Sequence, residues 1–237
     1  MLEHFTTQER KSLACPQQVP HTSCIMLSSI FKSYDIRGLA PKEIKPADAH
    51  QLGVTLAALY RPKQVLVGQD MRTTSAELEA ALVEGFISQG VDVVRVGLCS
   101  TPMFYFAVGE GAGSYELGVM VTASHNPAQY NGFKLVKGDV QPIGQGSGME
   151  EIRDAACTNA SEAPRPPKGG VSEDKFWQNP FQGAGGSVGG RGKVEDDDEV
   201  RARYLDRVFH LAALPRDLPS WSVAIDAGNG MNGFILP

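Results

Sequence analysis

The chain has no excess of positive charge, no long apolar run and no paired cysteines, and each absence removes a class of function. Its 237 residues carry 22 Lys and Arg against 27 Asp and Glu, a formal net charge of −5. Nothing in that balance favours a nucleic acid or an anionic membrane as partner. No apolar stretch approaches the ~20 residues needed to cross a bilayer. The first two dozen residues lack the continuous apolar core of a secretory signal, so the cytoplasm is the expected location. The four cysteines, Cys15, Cys24, Cys99 and Cys157, show neither a Cys-x-x-Cys spacing nor a metal-ligand pairing. They read as reduced thiols, with Cys99 a small buried residue after a strand.

What is present is an alternation of strand and helix signals. Met1 to Ile25 has no periodicity, and residues 1–26 are expected to be a disordered leader. Pro46 suits the first turn of a helix over Ala47 to Tyr60, followed by a strand at Gln64 to Gly68. Thr74 and Glu77 form a capping-box pattern for a helix running to Gln89, where Gly90 supplies the stop. A strand over Val91 to Val96 follows. Thr101 and Pro102 then read as a cap and first-turn proline for a short helix ending near Gly109. A helix is expected over Gly148 to Cys157. This spacing predicts a layered α/β domain over residues 27–157.

Composition changes sharply after that. Residues 158–198 turn to Gly, Pro, Ser and Lys, including the run Gly183 to Gly190, which cannot bury enough apolar surface to offset chain ordering and reads as a flexible insertion or linker. Glu195 to Glu199 reads as a solvated acidic run leading into a helix over Val200 to Leu211, where carboxylates suit the helix start. Residues 199–237 are expected to open a second α/β domain with a strand at Ser222 to Asp226. The hexad Gly228 to Gly233 fits Gly-x-Gly-x-x-Gly but fails as a dinucleotide fingerprint. Only four residues follow it, too few for the helix and the acidic residue ~20 positions on that the fingerprint requires.

The most informative segment is Val121-Thr122-Ala123-Ser124-His125-Asn126-Pro127, followed by Tyr130-Asn131-Gly132-Phe133-Lys134. Leu117, Val119 and Val121 alternate as a strand does, and the Asn-Pro step forbids helix directly after the serine. Ser124 therefore stands on a non-helical turn between strands. Ala123 and His125 flank it, and the glycines of an acyl-transfer elbow of the Gly-x-Ser-x-Gly kind are missing, which disfavours acyl chemistry. A serine that carries phosphate needs cations, since a phosphoserine bears roughly −1.5 to −2 charges. His125 and Lys134 lie near in sequence. Tyr34-Asp35-Ile36-Arg37-Gly38 adds a guanidinium donor, a hydroxyl and a glycine that admits a close ligand.

Four segments in order, Tyr34 to Gly38, Val67-Gly68-Gln69-Asp70-Met71-Arg72, the Ser124 loop through Lys134, and Val223 to Gly230, resemble the α-D-phosphohexomutase family, most closely its phosphomannomutase/phosphoglucomutase branch. The resemblance implies a three-layer α/β/α first domain with a mixed sheet, plus the start of a truncated second α/β domain. It further implies a reversible phosphoryl shift between O1 and O6 of a hexose through a bisphosphate, with Ser124 as the phosphoserine. Arg37 and Lys134 match the acid/base and charge-stabilising residues, His125 the loop neighbour, and Tyr34 a substrate contact. A lysine acting as base would need its basicity lowered, which a nearby Arg37 would provide. Gln69 departs from the basic residue usual before Asp70, and Asp70 with Arg72 reads as a salt-bridged strand end.

The resemblance also implies Mg²⁺, bound through the Ser124 phosphate, and a hexose 1,6-bisphosphate activator, with hexose phosphates as partners. The Asp-Gly-Asp-x-Asp metal loop of the family and its distal phosphate-gripping domain are not in this sequence. The expectation is therefore an incomplete mutase of very low activity, with Phe234, Ile235 and Leu236 lacking apolar partners. The alternative is a non-catalytic sugar-phosphate-binding or regulatory module that keeps the fold. Neither the preferred sugar nor the oligomeric state is legible.

Overall fold

A computed structural model describes residues 26–111, 113–157, 190–213, 222, 224–225 and 230–235. The expected leader, apart from Met26, and residues 158–189 of the expected insertion lie outside them. The elements are β1 (Ile36–Leu39), α1 (Pro46–Tyr60), β2 (Gln64–Gln69), α2 (Ser75–Ser88), β3 (Asp92–Leu98), α3 (Thr101–Glu110), β4 (Leu117–Val121), β5 (Tyr130–Lys137), α4 (Met149–Cys157), β6 (Val194–Asp196), α5 (Val200–Ala212) and a single turn, α6 (Asn232–Ile235). No helix among the described residues is long and apolar enough to cross a membrane.

Strands whose consecutive residues are all apolar must be covered on both faces. Val65 and Val67 are buried with Val119, Val121, Phe133 and Leu135 against α1, α2 and α4. Leu66 is buried on the other face with Val94, Met120 and Val136, against α3 and α5. The result is the α/β/α layering implied by the sequence. The sheet runs β1-β5-β4-β2-β3-β6. It is mixed: β4, β2, β3 and β6 are parallel, and β5 runs antiparallel to both β4 and β1.

Two caps differ from expectation. Thr74 stands before α2 in a helical conformation without a side-chain cap bond, because its hydroxyl accepts from Asn131 Nδ2 at 2.8 Å. The α3 cap is Ser100, whose Oγ accepts from the Met103 amide at 3.3 Å; Thr101 and Pro102 are already helical. Gly90 does end α2 in the left-handed region, at φ 77°. Met26, placed at the end of the expected leader, is buried in the core.

Further along the chain, β6 pairs with β3, so the start of the acidic run is a sheet edge rather than a free approach to a helix. Asp196 pairs with Arg95 at 2.7 Å, and Asp197 receives Arg203 at 2.7 Å, while Arg203 also reaches Glu110 at 2.7 Å. Helix α5 buries Val200 against the second face and sets Tyr204 edge-on to Phe106, with centroids 5.6 Å apart. These contacts attach residues 190–213 to the first sheet, where the sequence reading divided them between a linker and a second domain. Of the expected strand Ser222 to Asp226, the described residues 222 and 224–225 carry no strand pairing. Phe234 and Ile235 do find partners: Arg201 lies over the Phe234 ring, 5.1 Å from its centroid, and Ile235 packs on the second core.

Helices α1 and α2 touch through two glycines. A Cβ on Gly85 would lie 2.3 Å from the His50 carbonyl oxygen, and one on Gly53 would lie 2.5 Å from that of Leu82. Because backbone cannot yield as a flexible side chain can, Gly85→Ala is expected to cost about 1–3 kcal/mol in urea unfolding; an unchanged midpoint would show that the helices stand farther apart.

The tether of β6 and α5 is expected to be acid-sensitive. Hydrogen bonds from Arg203 and Arg95 hold the Asp197 and Asp196 carboxyls below the usual carboxylate range. A lowered folded-state pKa contributes stability that is complete above the unfolded value of about 4 and is lost as pH falls through the folded one. Glu79, pushed up by burial, titrates earlier and in the opposite sense, which confines the loss to the acid limb. Amide exchange across 194–212, corrected for intrinsic rates, should accelerate relative to β2 and β4 below about pH 4.

Candidate active site

Arg37, Thr122 and Asp70 meet at one end of the sheet. Arg37 lies opposite Gly132 in the β1–β5 register, the Thr122 amide donates to the Gly132 carbonyl at 2.9 Å, and the Asp70 amide donates to the Val121 carbonyl at 3.0 Å. This is the end from which β2 and β4 run out, the place where open α/β sheets bind ligands. A side chain at Gly132 has no room, since its Cβ would sit 1.9 Å from the Ile36 carbonyl oxygen. Arg37 and Lys134 alternate with the buried Ile36, Phe133 and Leu135, so both point to the sheet face shared by Met120 and Val136. On that face the buried cluster over α3 and α5 includes no residue of β1, and the Arg37 and Lys134 side chains are 19% and 21% exposed.

The two cations share a carboxylate. Asp35, itself buried, receives Arg37 Nη2, and Lys134 Nζ lies 3.5 Å from the same Oδ2. Arg37 Nη1 donates to Asn126 Oδ1 at 2.9 Å, tying β1 to the serine loop. The Arg37 Nε is buried without an acceptor among the described residues. The structure thus brings Ser124's loop, Arg37 and Lys134 together, with one correction to the expected electrostatics. Arg37 does not stand beside Lys134 as an uncompensated second cation, because Asp35 is interposed between them.

The loop is held from beneath by a buried polar network. Asp70 Oδ2 accepts from Thr122 Oγ1 at 2.7 Å, and Oδ1 from Ser75 Oγ at 2.6 Å. Thr122 Oγ1 in turn accepts the Ser124 amide at 2.8 Å. Ser124 sits in the left-handed region at φ 56°, a conformation disfavoured for any residue with a Cβ. Its side chain and that of His125 are exposed. Tyr34, the expected substrate contact, is 81% exposed and no described group holds it. Asp35, Asn126 and Thr122 belong to the quoted motifs, but only the fold reveals what they do. Beside them, Gln69 Oε1 is buried without a partner, and burial pushes the Cys99 thiol up to about 12, which keeps it protonated.

Among the described residues, no group of three or more His, Cys, Asp or Glu could hold a metal ion. The donors present therefore do not make a cation cage, and Ser124 contributes a single oxygen. Mg²⁺ normally keeps near-octahedral oxygen coordination.

Residues 28–162 match the family model for phosphoglucomutase/phosphomannomutase, alpha/beta/alpha domain I. The chain belongs to this family. It is 42% identical over 138 residues to phosphohexose mutases of Xanthomonas campestris pv. campestris, an alignment covering 57% of this chain and 30% of that protein. It is 33% identical over 210 residues to a phosphomannomutase of Escherichia coli K12, covering 87% of this chain and 40% of that protein. A crystal structure of a phosphoglucomutase/phosphomannomutase family protein from Burkholderia thailandensis superposes with a TM-score of 0.57 at 29% identity, over 78% of this chain and 36% of that one. The chain thus spans well under half the length of these relatives, and this mutase-family domain carries the Ser124 loop whole.

Asp35 is the joint of the site, and Asp35→Asn should loosen both cations. The loss of charge-assisted bonds from Arg37 and Lys134 is expected to cost about 1.5–3 kcal/mol in denaturant unfolding. A change below about 0.5 kcal/mol, the usual range for a surface position, would show that the carboxylate carries no such burden.

Proposed function

We propose that the chain is a phosphohexomutase module in which Ser124 carries the phosphoryl group exchanged with hexose 1- and 6-phosphates. The observation that carries this reading is the convergence of Arg37, Lys134 and the Ser124 loop at one end of the sheet, joined through Asp35 and Asn126. Family membership supports an isomerase that moves phosphate within a hexose phosphate.

The transfer needs little covalent work from the protein beyond positioning and charge. In one direction the P–O bond to Ser124 Oγ breaks as a sugar hydroxyl oxygen forms its own bond to phosphorus; the hydroxyl proton leaves and Oγ regains one. The reverse step returns the phosphoryl group from the other end of the bisphosphate. A guanidinium keeps its protons in proteins, so Arg37 supplies charge and donors rather than proton transfer. Lys134, with Nζ 3.5 Å from Asp35 Oδ2, is the acid/base candidate beside the serine loop. His125, exposed next to the serine, contributes a further donor, and Tyr34 is free to swing onto a sugar.

Mg²⁺, implied by resemblance, would supply charge neutralisation at the phosphate when bound. The described residues offer no cage for it, so the roles above rest on this chain's own side chains. A hexose 1,6-bisphosphate would act as the phosphate donor that primes Ser124.

Incubation of the purified chain with ³²P-labelled glucose 1,6-bisphosphate should label Ser124, and Ser124→Ala should abolish the label. Arg37→Met and Lys134→Met are each expected to slow labelling about 100-fold, the scale seen when one stabilising donor is removed. Binding of a hexose phosphate with Ser124 left bare would establish the non-catalytic module instead.

A further inference from the structure

We propose that Arg72 is a positioning residue for the phosphoryl-carrying serine: its guanidinium sets the direction of the peptide units around Ser124, so that the hydroxyl and the neighbouring amides face the incoming phosphate. The proposal deepens the phosphoserine reading and rests on it.

Every donor of Arg72 is already engaged. Nε bonds Asp70 Oδ2 at 3.2 Å. Nη1 reaches the carbonyls of Pro127 at 2.8 Å and Tyr130 at 3.0 Å, and Nη2 those of Ser124 at 2.9 Å and Asn126 at 2.7 Å. A guanidinium has five N–H groups in a planar fork, and these five bonds use them all. Nothing is left for a substrate, so Arg72 acts on the loop and not on the ligand.

The consequence follows from peptide geometry. In a trans peptide the N–H points opposite to the C=O of the same unit. Turning the Ser124 and Pro127 carbonyls toward Arg72 therefore turns the His125 and Ala128 amides away from it. Neither amide has an acceptor among the described residues. Between them the Asn126 amide is taken by the Ala123 carbonyl at 3.1 Å and Pro127 has no N–H, so the loop offers these two amides as separate donors to an anion. Ser124 itself is tied on both sides, its amide to Thr122 Oγ1 at 2.8 Å and its carbonyl to Arg72. With the second tie gone, only the amide bond to Thr122 Oγ1 opposes relaxation out of the left-handed region, which would swing the hydroxyl. Lysine keeps the charge but is a point donor with three N–H groups, and it cannot span four carbonyls and a carboxylate.

The test compares the full chain with Arg72→Met and Arg72→Lys by two readouts. One is the rate of Ser124 labelling from ³²P-labelled glucose 1,6-bisphosphate. The other is hydrogen exchange at the Ser124 amide, with the Val119 amide in β4 as the control for an intact core. Both variants should slow labelling about 100-fold, the scale of an ångström-level misplacement, and speed exchange at Ser124 while leaving Val119 unchanged. Labelling at the unmodified rate in Arg72→Met, recovery in Arg72→Lys, or slow labelling with unchanged Ser124 exchange would each overturn the proposal. Should Arg72→Met fail to fold, Thr122→Val releases the other tie; it must slow labelling and speed Ser124 exchange, and no effect on either counts against the proposal. If the unmodified chain takes no label, the phosphoserine reading fails. The exchange data then still decide whether Arg72 holds the loop: faster Ser124 exchange in Arg72→Lys sustains that, and no change overturns it.

Discussion

A buried carboxylate, that of Asp70, sets the geometry of this domain's chemistry. An ionised group out of water must be fully bonded or it costs several kcal/mol. Asp70 meets that demand with the hydroxyls of Thr122 and Ser75 and with the amide and Nε of Arg72. Those partners come from the exit of β4, the start of α2 and the turn after β2. Satisfying one charge therefore aligns three segments, and the alignment decides where Arg72 stands and hence which way the serine loop is turned.

A second constraint is the uneven covering of the sheet. One face is sealed by α1, α2 and α4, whereas the apolar cluster beneath α3 and α5 on the other does not reach β1. Arg37 and Lys134 stand half-buried at that end, and Asp35 joins them through a single oxygen. The same antiparallel excursion through β5 that makes the sheet mixed is what delivers Lys134 beside β1. Topology and electrostatics at this corner are one arrangement.

Much of this was legible in the chain. The periodicity of α1, β2 and α2 marks those elements to within a residue or two, because each buries a contiguous apolar face. Ser124, Arg37 and Lys134 stand out because a serine proposed to carry phosphate would demand cations. Asp35 and Asn126 did not, since their roles depend on Arg37 lying opposite Gly132, a register that no local pattern encodes. Thr74 misleads as a cap because its hydroxyl is claimed by Asn131, far away in sequence. Strand β6 is hidden for a different reason: its three residues are all exposed, so it has no alternation to read, and only pairing with β3 makes it a strand.

The positive φ of Ser124 has a meaning for the evolution of such a site. Glycine is the residue that the backbone at 124 would favour, free of the steric penalty that a Cβ brings to the left-handed region. A glycine there would relax the loop and at the same time remove the Ser124 hydroxyl. Stability and chemistry thus ask for different residues at a single position, and the serine persists as a strained choice whose cost is borne by the bonds beneath it.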